Sequence, residues 1–344
     1  KTQLLAWCLV IGFLPFSLVT VATYRTAETA LKAQVSENLE TVAARQVSQI
    51  VGYLENQEKA ATSLARNPTI TSALLELEAA NDQGLMILTG ELTPYLEHYR
   101  SSSEYRDLLL LSPSGEVVYA ATRPELVGRS LKEPQLRDTV MAGVFENSVT
   151  LMGPQLSEFF IDEGTPEWYL SVPAWHPDKG LVGAVIIELD TQGIFAAVND
   201  YTGLGRTGET VLTSQIGEQL SFRAPTRHDP EAFQREVPSH GLEESPLFLA
   251  ARGVQGRGGM IDYRGRETQA VWRYVPELRA GLVVKIDQSE ALKPILDLRW
   301  QVFWVGATLL VLLLFLALRM ARSVSNPIAV LTRKAENIAE GKLD

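Results

Sequence analysis

Apolar residues gather in two uncharged runs near the ends of the chain, Leu4–Ala22 (LLAWCLVIGFLPFSLVTVA) and Trp300–Leu318 (WQVFWVGATLLVLLLFLAL). Each matches the ~20 residues a helix needs to cross a bilayer. Polar residues punctuate everything between them. The pattern therefore predicts two transmembrane helices, a folded part on one side of the membrane and both termini on the other. Over Tyr24–Arg66 the apolar positions Leu31, Val35, Leu39, Val42, Val47, Ile50, Leu54, Ala61 and Leu64 recur mostly three or four apart, the stripe of an amphipathic helix. Asn67-Pro68 should stop it, because proline disfavours helix in the residue before it. A helix of ~40 residues would be ~60 Å long, too long for one small domain, which suits a dimer-forming stalk or else a solvated spacer. Shorter helices follow over Ile70–Ala80 and Leu85–Arg100.

From Arg106 the helical period ends. Arg106–Ser112 (RDLLLLS), the turn Pro113-Ser114-Gly115 and Glu116–Ala121 (EVVYAA) predict a β-hairpin. A short helix near Gln135–Ala142 follows. Strands come next over Ser148–Met152, Glu167–Trp175 and Leu181–Leu189, the last two joined by the turn His176–Gly180. The order then repeats. Gly208–Ser214 and Glu218–Phe222 predict a second hairpin, and a helical region covers Pro230–Arg252. Gly259–Tyr263, Thr268–Val275 and Gly281–Asp287 complete a second sheet. Two modules of ~85–100 residues are large enough for separate cores. Gln288–Arg299 predicts a helix running into the second apolar segment. Beyond that segment Ile328, Leu331, Ala335 and Ile338 take the 3-4-3 spacing of a coiled-coil seam.

Charge adds orientation and excludes partners. A net charge of −10 opposes nucleic acid, which binds basic patches. Arg319, Arg322, Arg333 and Lys334 follow the second apolar run, against Lys1, Arg25 and Lys32 around the first. The positive-inside rule then puts both termini in the cytoplasm. The first run is longer than a signal-peptide core and no A-x-A site follows it, so it reads as an uncleaved anchor. Its Pro15 frees a backbone carbonyl and invites a kink. The single cysteine, Cys8, lies in that run. An intramolecular disulfide and thiol catalysis are both excluded, and the fold relies on packing.

Few motifs carry chemistry. Gly203-x-Gly205-x-x-Gly208 matches the dinucleotide fingerprint, which needs a strand before it and a helix after it. Here a strand follows, so the glycines shape a loop between the modules. His98, His176, His228 and His240 lack metal-ligand spacing, and no G-x-S-x-G elbow is present. No metal, cofactor or catalytic residue is expected. Small-molecule pockets are aromatic with a few polar groups, which singles out Tyr119, Trp168, Tyr169 and Ser171 on the first module's strands. Strand alternation puts Trp168, Leu170 and Val172 on one face and Tyr169, Ser171 and Pro173 on the other. Each aromatic also suits an ordinary core. Arg123 and Arg129 after Tyr119 are placed to meet an anion, or are solvated surface arginines. The acidic loop of Asp162, Glu163 and Glu167 is placed instead to meet a cation. The two cues point to opposite ligand charges.

The whole pattern resembles bacterial transmembrane sensors of the double-Cache type. The resemblance rests on Gly203–Thr210 (GLGRTGET), Asp262-Tyr263-Arg264-Gly265 and Lys285-Ile286-Asp287. It rests also on a HAMP-like first helix with Arg322, Asn326-Pro327-Ile328, Leu331 and Glu340–Asp344 (EGKLD). It implies an α+β fold, with two tandem PAS-like antiparallel sheets on a long N-terminal helix, flanked by two transmembrane helices and followed by the start of a HAMP coiled coil. The implied segments are a first transmembrane helix over 1–24, a stalk and helical segment over 25–104, a membrane-distal module over 105–200 and a membrane-proximal module over 201–288. A connecting helix over 289–299, a second transmembrane helix over 300–319 and an incomplete HAMP helix over 320–344 complete the order.

It further implies a homodimer in the bacterial inner membrane, with its sensor part periplasmic. A small-molecule ligand in the distal module would meet Tyr119, Arg123, Arg129, Trp168, Tyr169 and Ser171. Trp272, Tyr274 and Asp262 would line the equivalent proximal site. An output domain beyond Asp344 would be a histidine kinase, or else a chemoreceptor module, nucleotide cyclase or phosphatase. An extracytoplasmic enzyme or a passive scaffold are the alternatives of another class. Amino-acid-binding members carry an arginine two residues before their Trp-Tyr pair and an aspartate in the last strand. Here Pro166 stands two residues before Trp168, and the last strand has no aspartate until Asp190 at its end. The two-pronged grip of an arginine on a carboxylate is therefore absent from that position.

Overall fold

The computed structural model describes residues 2–79, 82–162, 165–234, 236–238 and 244–320. The expected HAMP helix, with Arg322, Asn326, Ile328 and Leu331, lies outside the described residues. Helix α1 runs over Thr2–Ala65 with Pro15 inside it. Its buried positions include Leu39, Val42, Ala43, Gln46, Ile50, Leu54, Ala61 and Leu64, while Leu31, Val35 and Val47 of the expected stripe are half-buried. Gln46, not Val47, takes the place in the seam. Its amide donates to the Val198 and Asp200 carbonyls and accepts from Thr210 Oγ1 at 2.8 Å, so every polar atom of the buried side chain is used. The Asn67 carboxamide accepts from the Thr69 amide, and Pro68 opens α2, Pro68–Ala79. Helix α3 covers Asp82–Ser102.

The first sheet contains β1 (Asp107–Leu111) and β2 (Val117–Ala120), then β3 (Gln155–Leu156) after helix α4 (Val140–Leu151). A separate two-stranded hairpin, β4 (Phe160–Asp162) with β5 (Thr165–Glu167), precedes β6 (Tyr169–His176) and β7 (Gly180–Glu188). The strand order is β2-β1-β7-β6-β3. All five residues of β1 are buried, because both faces are covered. Leu109, Leu111, Ala184, Ile186 and Tyr169 pack with Met141, Ala142, Val144 and Phe145 of α4, while α2 packs on β6 and β7.

The strand expected over Ser148–Met152 is instead the end of α4. Thr139 caps that helix by accepting from the Ala142 amide. Met141, Val144, Phe145 and Ser148 then fall on its buried face, and Met152 ends it in the left-handed region. Helical spacing, visible only over the longer window, outweighs the local β-propensity of Val149-Thr150.

After α5 (Gln192–Val198) the second sheet forms from β8 (Glu209–Ile216), β9 (Gln219–Phe222), β10 (Glu236–Pro238), β11 (Gly256–Ile261), β12 (Glu267–Val275) and β13 (Ala280–Asp287). Its order is β10-β9-β8-β13-β12-β11. The helix expected across Pro230–Arg252 shrinks to α6, Pro246–Ala251, capped by Ser245. Pro230, Pro238 and Pro246 divide that stretch, and β10 pairs with β9 inside it. The glycine motif is a loop, as expected: Gly203 and Gly205 take φ of +85° and +68°, and a Cβ on Gly208 would lie 2.1 Å from the Leu204 carbonyl oxygen.

The helix expected over Gln288–Arg299 is broken. Helix α7 (Gln288–Ala291) ends at Leu292 and α8 runs Lys293–Met320, because Pro294 has no amide to donate to Glu290. Lys293–Leu316 is long and apolar enough to cross a membrane and is unburied. Packing divides the chain into two compact units. One holds residues up to Glu37, Ile261–Gln269 and Asp287 onward, and the other holds Asn38–Met260 with Ala270–Ile286. Within the first, Gly306 faces the Phe16 ring, where a Cβ would stand 3.1 Å from it, a small residue admitting a close helix approach.

Buried phenols make the fold sensitive to alkali. Burial, followed by the Asp190 charge, raises the Tyr53 pKa to about 12, and Tyr53 donates to the Asp190 carbonyl at 2.9 Å. Burial also raises Tyr105 and Tyr169. A folded-state pKa above the unfolded value gives stability that is complete below the unfolded pKa, near 10, and is lost as pH rises through the folded one. Denaturation midpoints should hold steady up to about pH 10 and fall steeply toward pH 12. Phenolate absorbance at 295 nm should rise together with unfolding, and a Tyr53→Phe chain should lose less stability over that window.

Candidate ligand site

Strand register gathers charge at one end of the first sheet. Asp107, the first residue of β1, stands opposite Glu188, the last of β7, and Glu188 stands opposite Tyr169 on β6. Arg123, just after β2, reaches all three. Its Nε donates to Asp107 Oδ2 at 2.8 Å, Nη2 to Glu188 Oε2 at 2.9 Å and Nη1 to the Tyr169 hydroxyl at 3.2 Å. Tyr169 donates onward to Glu167 Oε2 at 2.9 Å. Asp107 Oδ1 accepts from the Leu108 and Thr122 amides. Arg106 adds a second cation 3.3 Å from Glu188.

Burial raises the Glu188 pKa against the pull of Arg123 and Arg106. Burial would lower that of Arg123, but Tyr169 and Asp107 outweigh it and hold the guanidinium above its ordinary value. Arg123 is therefore a fixed cation anchored by two buried carboxylates.

The other expected site residues are spread more widely. Ser171 lies on the same face of β6 as Tyr169, and its Oγ shares a buried 2.7 Å hydrogen bond with Ser148 of α4. Tyr119 is buried on β2 opposite Leu110; burial, then the Glu97 charge, raises its phenol pKa. Arg129 is bound by Glu133 through Nε and Nη2 at 3.1 and 2.9 Å. Trp168 turns the other way: its indole donates to the Ser157 carbonyl at 3.0 Å, and its ring meets Phe159 edge-on at 5.8 Å. Arg123 and Tyr169 are thus brought together with Ser171 beside them, while Trp168 and Arg129 have partners elsewhere. Sequence reasoning missed Asp107 and Glu188. The signal for both was a lone acid at the edge of an apolar strand.

In the second sheet, Lys285 and Glu209 are opposed on β13 and β8. Both are fully buried, and Lys285 Nζ lies 2.8 Å from Glu209 Oε1. Asp262, expected in a proximal pocket, is held by Arg264 Nε at 2.7 Å, and Arg264 also reaches Asp287 at 2.5 Å. The Trp272 ring covers Gly256, where any Cβ would stand 2.6 Å from it.

No protein-family model matches the sequence, and no curated protein does. Solved structures do match. The sensor domain of the V. cholerae histidine kinase DctB is 15% identical, with 76% of this chain and 98% of that one covered at a TM-score of 0.50. The ligand-binding domain of the Campylobacter jejuni chemoreceptor Tlp3, solved with L-norvaline, is 12% identical over 77% and 96%, at 0.54. The ligand-binding domain of Mlp24, solved with asparagine, is 16% identical over 79% and 98%, at 0.50. The fold is that of these sensor domains. Mixed helix and sheet with two antiparallel sheets, the architecture implied by the double-Cache resemblance, is therefore present. At such identities the likeness speaks for the fold alone.

Proposed function

We propose that this chain is the extracytoplasmic sensing and transmembrane signalling part of a bacterial receptor, with a sensor histidine kinase as the foremost output class and a chemoreceptor, nucleotide cyclase or PP2C-type phosphatase as the others. One observation carries the reading. A helix that begins in the apolar run Leu4–Ala22 precedes both sheets along the chain, and the last strand is followed through α7 by the apolar α8. Exposed Leu14, Leu18 and Val19 on α1 and Trp300, Phe303 and Trp304 on α8 suit lipid contact better than water. In this reading the chain spans the inner membrane twice, dimerises through the stalk and works by binding and conformational coupling without a covalent step. A ligand shifts a two-state equilibrium only through its differential affinity for the two states. In the distal module the proposed ligand site centres on Arg123 and Tyr169, with Ser171 beside them.

Labelling tests the topology. In a Cys8→Ala background, cysteines at Gly115 and Lys334 should react with impermeant reagent from opposite sides of the inner membrane; reaction from the same side refutes the two-span reading. A ligand-dependent thermal shift of the chain separates a sensor from a scaffold, and turnover of a metabolite would identify an enzyme.

A further inference from the structure

A cleft of about 440 Å³ opens beside the second sheet, within the range of small-molecule sites. Several segments converge on it. Glu158 and Phe159 come from the strap after β3, Arg223 from the end of β9, Arg252 from the end of α6, and Tyr274 and Arg279 from β12 and the turn that follows.

Arg223 is the unusual member. Its side chain is buried, with only 7% exposure, yet no carboxylate pairs with it among the described residues. Nε donates to Ser214 Oγ, Nη1 donates to the Phe159 carbonyl at 2.8 Å, and the guanidinium lies 5.3 Å over the Phe159 ring. A guanidinium has five donors, and these contacts occupy two. Burial pushes its pKa below the ordinary value, against the pull of Glu158 and Glu236. A buried charge is costly unless it is paired, so the remaining donors call for an anion.

Two neighbours add donors. Arg252 stacks 5.5 Å over Phe248 with no ion-pair partner among the described residues, and Tyr274 lines the same wall. Arg279 pairs with Glu158 at 3.4 Å, both largely exposed, a contact of little strength.

We propose that this cleft is a second binding site, for a small organic carboxylate, that clamps the strap of the first module to the second sheet. A planar guanidinium grips a carboxylate bidentately. Glu158 and Glu277, which also line the cleft, offer acceptors to a hydroxyl or amine elsewhere on a ligand. Since Arg223 already bonds the Phe159 carbonyl, an anion on its free edge would fix strap and sheet together. The proposal is independent of the sensor reading, because binding is measured on the chain itself, whatever its orientation or output.

The test is isothermal titration of the purified full chain in detergent with succinate, succinamide and inorganic phosphate. Succinate should bind saturably and more weakly as salt rises, and succinamide should not bind. Arg252→Ala and Tyr274→Phe, both at partly exposed positions, should each weaken succinate about tenfold while the melting temperature stays unchanged, and Arg223→Lys should weaken it more, since lysine lacks the fork. No saturable succinate binding, tighter binding of phosphate, or unchanged affinity in Arg252→Ala and Tyr274→Phe would each overturn the proposal. So would a loss on Arg129→Ala, which would move the carboxylate to the first module.

Discussion

Lys285→Met is expected to destabilise the folded part by roughly 3–5 kcal/mol, the cost of stranding one member of a buried ion pair. Lys285 and Glu209 are both 0% exposed and directly opposed on central strands. The Glu209 carboxylate also accepts from the His228 amide, at a long 3.4 Å. Without Lys285 the carboxylate must stay ionised in a dry core or take up a proton, and either is unfavourable. The paired change Lys285→Met with Glu209→Leu should recover most of the loss, because apolar residues of similar volume often replace a buried pair at no net cost. Denaturant unfolding followed by tryptophan fluorescence reads both. A single variant within about 0.5 kcal/mol of the parent, the scale of ordinary surface changes, would show that the pair does not hold the second sheet.

Arg123→Gln should cost about 2–4 kcal/mol near neutral pH, since it leaves Asp107 and Glu188 buried side by side with Arg106 as the remaining cation. The loss should depend on pH with a definite sign. The folded-state pKa of Glu188 is already raised by burial, and removing Arg123 raises it further. A raised folded-state pKa gives stability that is complete below the ordinary carboxylate value and is lost as pH rises through the folded one. The deficit of the variant should therefore be small near pH 4 and widen toward pH 7. Adding Glu188→Gln should flatten that slope. A deficit independent of pH would mean that Arg123 stabilises by packing rather than charge. If Arg123 also meets a ligand, that ligand must compete with Asp107 and Glu188 for the same donors.

Some of this was legible in the residues. The short apolar runs in RDLLLLS and EVVYAA on either side of a Pro-Ser-Gly turn located the first hairpin, and Asn67-Pro68 marked the end of α1 within two residues. The loop formed by the 203–208 glycines also followed from local pattern. Ser148–Met152 misled because a five-residue window cannot separate a β-branched strand from the last turn of a helix. The Pro230–Arg252 stretch misled because apolar residues there serve a strand and a short helix rather than one long face. Within the site, the aromatic and arginine candidates were visible as residue types. Their partners were not: Asp107 and Glu188 lie far apart in the chain, and Phe159 meets Arg223 only through the packed strap.

Periodicity therefore settled the long helix, the two sheets and the two apolar runs, because helical and strand repeats are local properties of the backbone and each side chain carries its own hydrophobicity. Which charges are neutralised and which are left with open donors depended on strand register and on the packing of distant loops. A guanidinium half-buried against two carboxylates and a tyrosine hydroxyl and one buried against a carbonyl and a ring read identically in the chain. Only the folded arrangement makes Arg123 a filled cation and Arg223 an open one.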